Sequence, residues 1–248
     1  MQVVDYLKVS TPMADAQTQS PEGGAKFENS MAFTSRSERI KTIATWIPAS
    51  KQLLKHGPDL EGAIRGALAY SVQSEVEDQL LSGNGAGETL HGLITQAASF
   101  NTALLPAAVS GWTIIDIIGA AVAQIAAANE VPATFALLHP LDLHALRMTK
   151  DGNGNYILGP PNSPGPARVF GCDLISSTAI TEGTLLVGSN SPVAAELPEA
   201  MAVAVEVSTD HEDFFVKNKV ALRAETMLAS IVYRPNAFVT GSLVTSPA

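Results

Sequence analysis

His139, Asp142 and His144 place two imidazoles and a carboxylate close together along the chain. Such a set could move a proton in hydrolysis or ligate a metal. The metal reading fails on spacing, because no His-Glu-x-x-His or comparable ligand pattern exists. His139 precedes Pro140 at the end of an apolar run, and His144 falls in a short helical pattern; both are ordinary settings for structural histidines. A small hydrolase using His139, Asp142 and His144 is therefore the remote catalytic reading. Asn84-Gly-Ala-Gly-Glu88 is the one glycine-rich stretch suited to a phosphate. It follows a helix rather than a strand and lacks the Lys-Ser/Thr that closes a phosphate loop, so it reads as a helix end and turn. Cys172 is the single cysteine, follows Gly171 in an apolar run, and reads as a small buried residue. No Gly-x-Ser-x-Gly elbow is present. No catalytic set, cofactor site or metal site is expected.

Composition sets the frame for these residues. The chain has 248 residues, enough for one large or two modest domains with a buried core. Lys plus Arg is 15 against 24 for Asp plus Glu, a formal charge of −9. That balance argues against binding nucleic acid by neutralising phosphates. Charged residues are only 16%, apolar residues 46% and aromatics 6%, a small-apolar, charge-poor make-up that suits extensive contact between subunits. One cysteine excludes a disulfide framework within the chain. No apolar run reaches the roughly 18–20 residues that span a bilayer, and the start of the chain has no signal-peptide pattern. The expectation is a protein made inside the cell, with no membrane partner.

The elements are unevenly distributed. Val3 to Val9 reads as a strand, and Met31 to Trp46 as a second, longer one. Polar, turn-rich sequence from Ala14 to Gly24 joins them into a long hairpin. An isolated two-stranded hairpin is marginal in water, and the β-branched and aromatic residues on these arms favour a ribbon lying across another surface. A long helix over 59–82 follows, opened by Pro58 and Asp59 and stopped by Gly83, about 36 Å long. Leu60, Ile64, Leu68, Val72, Val76 and Leu80 form its stripe, narrow enough to lie along a sheet. A second helix is expected from Thr113 to Asn129, a strand over 134–139, a short helix over 141–148, a turn at 150–155 and a strand at Tyr156-Ile-Leu. An exposed loop at Pro160 to Pro166 precedes strands at 169–176 and 184–188. Alternation over 202–207, and again with Val216, Val220, Leu222 and Leu228 on one face, gives a long antiparallel hairpin beside the long helix. The fold class is α+β.

These segments carry a resemblance. Lys41-Thr-Ile-Ala-Thr-Trp-Ile-Pro-Ala-Ser-Lys-Gln-Leu-Leu54 and Gln79-Leu-Leu-Ser-Gly-Asn-Gly-Ala-Gly87 resemble the entry to, and end of, the spine helix in tailed-bacteriophage major capsid proteins of the Hong Kong 97 fold. His139-Pro-Leu-Asp142 with Lys150-Asp-Gly-Asn-Gly-Asn-Tyr156 is similar to that family's A-domain. Phe214-Phe-Val-Lys-Asn218, Arg223-Ala-Glu225 and Tyr233-Arg-Pro-Asn-Ala-Phe238 resemble its C-terminal signature. The resemblance spans nearly the whole chain in order. It implies an icosahedral shell subunit of a phage or prophage virion, made in the bacterial host cytoplasm. Residues 1–45 would be the E-loop lying over a neighbour, 46–83 with 200–234 the elongated P-domain, and 84–199 with 235–248 the compact A-domain. The implied partners are further copies in pentamers and hexamers, enclosed double-stranded DNA, and scaffold, portal or decoration proteins. An encapsulin-type compartment around enzymes shares the fold and is the alternative.

Some members of this family join subunits by a Lys–Asn isopeptide bond with a Glu as proton acceptor. The resemblance puts Asn218 and Glu225 at the amide and acid positions. Seven residues apart on one strand, they would face opposite sides about 23 Å apart, so the bond would need several subunits. Counting back without gaps from the Lys41–Trp46 match, the lysine position falls on Gly23, and Lys26 lies three residues later. The chain opens directly on the hairpin, where the family carries a preceding arm, which suggests a truncated chain, a trimmed product or a decayed prophage gene.

Overall fold

The computed structural model describes residues 3–11, 16, 18–19, 21–28, 30, 32–52, 58–105, 112–159 and 167–243. The loop expected at Pro160 to Pro166 lies outside them. The chain opens on strands β1 (Val3–Thr11) and β2 (Ala32–Arg39), paired antiparallel as a two-stranded sheet of their own. The second arm, expected as one strand from Met31 to Trp46, instead divides at Ile40. The hairpin thus ends at Arg39, short of residue 45, and β3 (Lys41–Ser50) belongs to a different sheet. The division follows from burial: β2 is almost wholly exposed, whereas Lys41, Ile43 and Ala49 of β3 are buried.

Helix α1 (Pro58–Ser82) starts on the proline that was expected at its first position. It packs on a three-stranded antiparallel sheet of β3, β10 (Glu199–Ser208) and β11 (Lys219–Leu228), with β11 in the centre. Leu68 and Val72 meet Ile43, Val220, Leu222, Ala224 and Leu228 in one core. The four-residue stripe drifts by about 40° per step against a 3.6-residue turn. At the helix's far end Leu81, not Leu80, is therefore the buried residue, and it sits in a separate core. One rod thus enters two cores.

The second core surrounds a six-stranded mixed sheet. Along the chain come α2 (Leu93–Gln96), β4 (Ala98–Ser99), α3 (Ile114–Ala127), β5 (Phe135–Leu138), α4 (Pro140–Arg147), β6 (Arg168–Val169), β7 (Cys172–Ser176) and β8 (Thr184–Gly188). Two short strands, β9 (Ala195–Glu196) and β12 (Ile231–Val232), pair with each other, and β13 (Phe238–Ser242) completes the large sheet. Its order is β4-β13-β8-β5-β7-β6. On one face lie Ile117, Ile118, Ala121 and Ile125 of α3 with Leu143 and Leu146 of α4. On the other, Leu137, Leu186 and Phe238 meet Leu81 of α1 and Ile180. α3 begins where its sequence signals it, with a reciprocal cap: Thr113 Oγ1 accepts from Asp116 N–H, and Asp116 Oδ2 accepts from Thr113 N–H at 2.9 Å.

Three expectations are corrected. Tyr156-Ile-Leu forms no strand; Tyr156 makes an isolated bridge to Lys150 and the chain then turns. The run 169–176 is a β6–β7 hairpin turning at Phe170 and Gly171, with φ of 48° and 82°. Val216 is not on the strand: residues 212–218 are a turn, and Val216 is 81% exposed.

Gly83 ends α1 under tight constraint. Its N–H donates to Gln79 O at 2.9 Å, and a Cβ there would stand 2.2 Å from Leu90 O. Gly83→Ala should cost about 2–4 kcal/mol in a denaturant melt. Gly152→Ala, where a Cβ meets open space, should stay within about 0.5 kcal/mol.

Candidate functional site

The residues singled out for chemistry are spread over structural tasks. His139 caps α4, its Nδ1 accepting from Leu141 N–H at 3.3 Å. Asp142 Oδ2 accepts from Gly183 N–H at 2.8 Å, tying α4 to the turn before β8. His144 is exposed on α4. No hydrogen bond or ion pair joins the three, so the hydrolase reading has no assembled set. Cys172 is buried, and desolvation pushes its thiol up, away from the reactive thiolate. The glycine-rich loop turns after α1 as expected: Asn84 bridges His91, and the buried Lys41 ammonium donates to the Gly87 carbonyl. The Gly87 carbonyl faces that ammonium, whereas a phosphate cradle turns backbone N–H groups inward. Among the described residues, no group of three or more His, Cys, Asp or Glu could hold a metal ion.

What the fold presents instead is faces. Register sorts the opening hairpin into two. Val3, Leu7 and Phe33 share one side, 49%, 59% and 53% exposed, with Phe27 beyond them at 51%. The other side carries Val4, Tyr6 and Lys8, all half-buried, opposite Glu38, Arg36 and Thr34. Tyr6 stands edge-on to Tyr233 with ring centres 5.7 Å apart. Glu38 Oε1 lies 3.7 Å from His91 Nδ1. The hairpin is thus moored at its root by one face while its other face is bare. Burial raises the Tyr6 phenol, with a smaller push from Glu38. Burial and the Glu196 acceptor raise Tyr233.

The three-stranded sheet has a second bare face, opposite α1. Trp46, Arg223 and Glu206 lie side by side across β3, β11 and β10. Arg223 Nη2 bridges Glu206 at 2.9 Å and Glu225 at 3.1 Å. Trp46 packs edge-on against His211 at 5.1 Å, and His211 against Phe214 at 4.9 Å. Beside them Phe215 is 76% exposed. This aromatic cluster was not anticipated. Its only sequence signal was Trp46 on the outward register of a strand whose alternate residues are apolar.

Lys26, Asn218 and Glu225 are not brought together within the chain. Lys26 is exposed in the hairpin loop. Asn218 ends the turn before β11 at φ 52°, its carbonyl accepting from Lys51 N–H at 2.9 Å. It lies off the strand, so the expected count along one strand to Glu225 does not apply. Glu225 sits mid-strand, its carboxylate committed to Arg223.

Comparison with known proteins gives a consistent set of relatives. The model of the phage capsid family matches residues 2–243. The major capsid protein of Enterobacteria phage HK97 is 34% identical over 221 residues, covering 89% of this chain and 56% of that protein. The chain therefore spans little more than half the length of that relative. Among solved structures, the capsid of the native GTA particle superposes with a TM-score of 0.71 at 17% identity, covering 97% of this chain and 84% of that one. A structure from Gordonia phage Cozz gives 0.69 at 16% identity, covering 97% and 80%. At these identities the structures show the fold alone.

Two substitutions separate structural from catalytic roles at α4. Asp142→Ala should lower stability by about 1–2 kcal/mol in a denaturant melt, by orphaning the Gly183 N–H. His144→Ala should change it by no more than about 0.5 kcal/mol.

Proposed function

This chain belongs to the phage capsid family and has the Hong Kong 97-type capsid fold, and from that premise we propose that it serves as the major capsid protein of a tailed phage or prophage. In this reading it is a structural subunit that assembles with its own copies into the pentamers and hexamers of an icosahedral shell. The observation that carries the reading is the opening hairpin. It is two strands wide, moored at its root by Tyr6 and Glu38, and bare along Val3, Leu7 and Phe33. A neighbouring copy supplies the missing surface. The hairpin then acts as the E-loop, the α1 layer as the P-domain, and the six-stranded sheet as the A-domain.

The charge of −9 gives little attraction for nucleic acid. Containment of double-stranded DNA is accordingly mechanical, by closure of the shell, with the virion as the destination. Subunit interfaces of this permanent kind bury on the order of 2,000–5,000 Å².

Lys26, Asn218 and Glu225 are the candidates for an inter-subunit bond. A neutral Lys26 amine would attack the Asn218 carboxamide, Glu225 would take the amine's proton and pass it to the departing nitrogen, and the C–N bond of the carboxamide would break to release ammonia as the new amide forms. Because no two of the three meet in one chain, each would come from a different copy.

Electron microscopy of the purified chain tests the assembly. Closed shells or ring-shaped capsomers are expected, and a protein monomeric at all concentrations would overturn the proposal. Nuclease-protected DNA is expected in particles recovered from a host, whereas a protein cargo would favour the encapsulin alternative. Denaturing gels of assembled particles read the bond itself. A ladder that Asn218→Ala collapses to one band supports it, and a single monomer band from the unaltered chain removes it.

A further inference from the structure

A polar cleft of about 340 Å³ lies between the outer half of β1–β2 and the turn that follows β12. Lys8, Val9, Thr34, Arg36, Pro235 and Asn236 line it. Lys8 and Arg36 are diagonal neighbours on one face of the ribbon, since Lys8 pairs with Thr34 and Tyr6 with Arg36. Among the described residues no carboxylate forms an ion pair with either cation. Glu38, the next acid on that face of β2, is turned to account by His91 at 3.7 Å. Asn236 and Thr34 add an amide and a hydroxyl to the lining. Two like charges beside each other in a cleft, in a chain with a surplus of acid, are an unfilled receptor for an anion.

We propose that this cleft receives an aspartate or glutamate side chain from a second copy of the chain, with Lys8 Nζ and the Arg36 guanidinium as its donors. The inference rests on the assembly reading above and deepens it by naming the contact. Three observations choose a second copy over other anions. Val9, which shares the bare face with Leu7 and Phe33, also lines the cleft, so a copy that covers that face reaches its rim. The chain supplies 24 acidic residues against 15 basic ones, so a copy presents carboxylates readily. A pair of cations in a chain of charge −9 gives no extended positive field for a nucleic-acid backbone. The ammonium of Lys8 is already disfavoured, first by burial and then by Arg36, which an arriving carboxylate would relieve.

The test mixes equal amounts of the isotopically heavy and light chain, lets them assemble, and treats the product with a zero-length carbodiimide. Mass spectrometry should find Lys8 joined to an acidic peptide in mixed heavy–light pairs, and Lys8→Arg should remove that link while assembly stays within about twofold. The double reversal Lys8→Glu with Arg36→Glu should cut assembly by about tenfold or more. Lys8→Ala with Arg36→Ala, checked for folding by circular dichroism, should fall between. Shells in which Lys8 is unlinked, or linked only within its own chain, overturn this inference and leave the assembly reading standing. So does a reversed variant that assembles undiminished. Mixed-mass links in oligomers that never close into shells support this contact and remove the shell reading. A chain that stays monomeric removes both.

Discussion

A two-stranded antiparallel ribbon has no interior, and everything else in this molecule is arranged around that constraint. Side chains on β1 and β2 face one of two sides, and a single chain covers only one of them. Tyr6 against Tyr233 and Glu38 beside His91 fix the root. Leu7, Phe27 and Phe33 stay half exposed or more. Covering each would return roughly 1 kcal/mol, about half the value of full burial. The ribbon is therefore stabilised by contact it does not make by itself, and its lowest free energy lies in company.

A ribbon that reaches for a neighbour is useful only if its mooring is rigid, and α1 supplies the rigidity. Most helices belong to one core. This one places Leu68 and Val72 in the core of the three-stranded sheet and Leu81 in that of the six-stranded sheet. Polar ties reinforce the same rod. Arg65 donates to Val205 O in β10 at 3.2 Å, and Ser177 donates to Glu77 from the turn after β7. Beyond α1, Arg234 and Glu130 form a largely buried ion pair at 3.1 Å, tying the segment behind Tyr233 to the end of α3. The surface that Tyr6 leans on is thus held by both units. A tile needs this property: force on one edge must reach the others without bending.

Much of this was legible in sequence wherever the local signal and the tertiary result coincide. α1 carries its proline start and glycine stop, and α3 carries Thr113 and Asp116 in capping positions. The failures share a cause. The β6–β7 turn uses Phe170 at φ 48°, a residue with no turn preference. Its ring lies against Gly119, where a Cβ would come within 2.6 Å, a long-range contact that no local pattern reveals. Val216 was read onto the strand because it falls in even spacing with Val220 and Leu222, but the turn runs on to Asn218: Phe214 packs inward beside His211 and Lys219, and Asn218 takes a left-handed φ. Candidate site residues were harder still. A group that acts between copies shows in one chain as exposure, not as contact, which is how Lys26, Asn218 and Phe215 stand.

The ionisable groups argue for faces over clefts in their own way. Asp151, Asp173 and Asp213 are all held below the usual carboxylate range, and in each case the leading cause is a hydrogen bond from a residue four or five positions away. Those are local surface arrangements, and none requires a protein interior. Among the described residues, burial leads the shift at four sites. Cys172 is one, inert within the six-stranded core. The others are Tyr6 and Tyr233, which meet edge-on where the ribbon joins the body, and Lys8, two residues along the same face from Tyr6. Outside the core, desolvation therefore falls on groups that lie where the arm packs on the body, the same place where Tyr6 meets Tyr233.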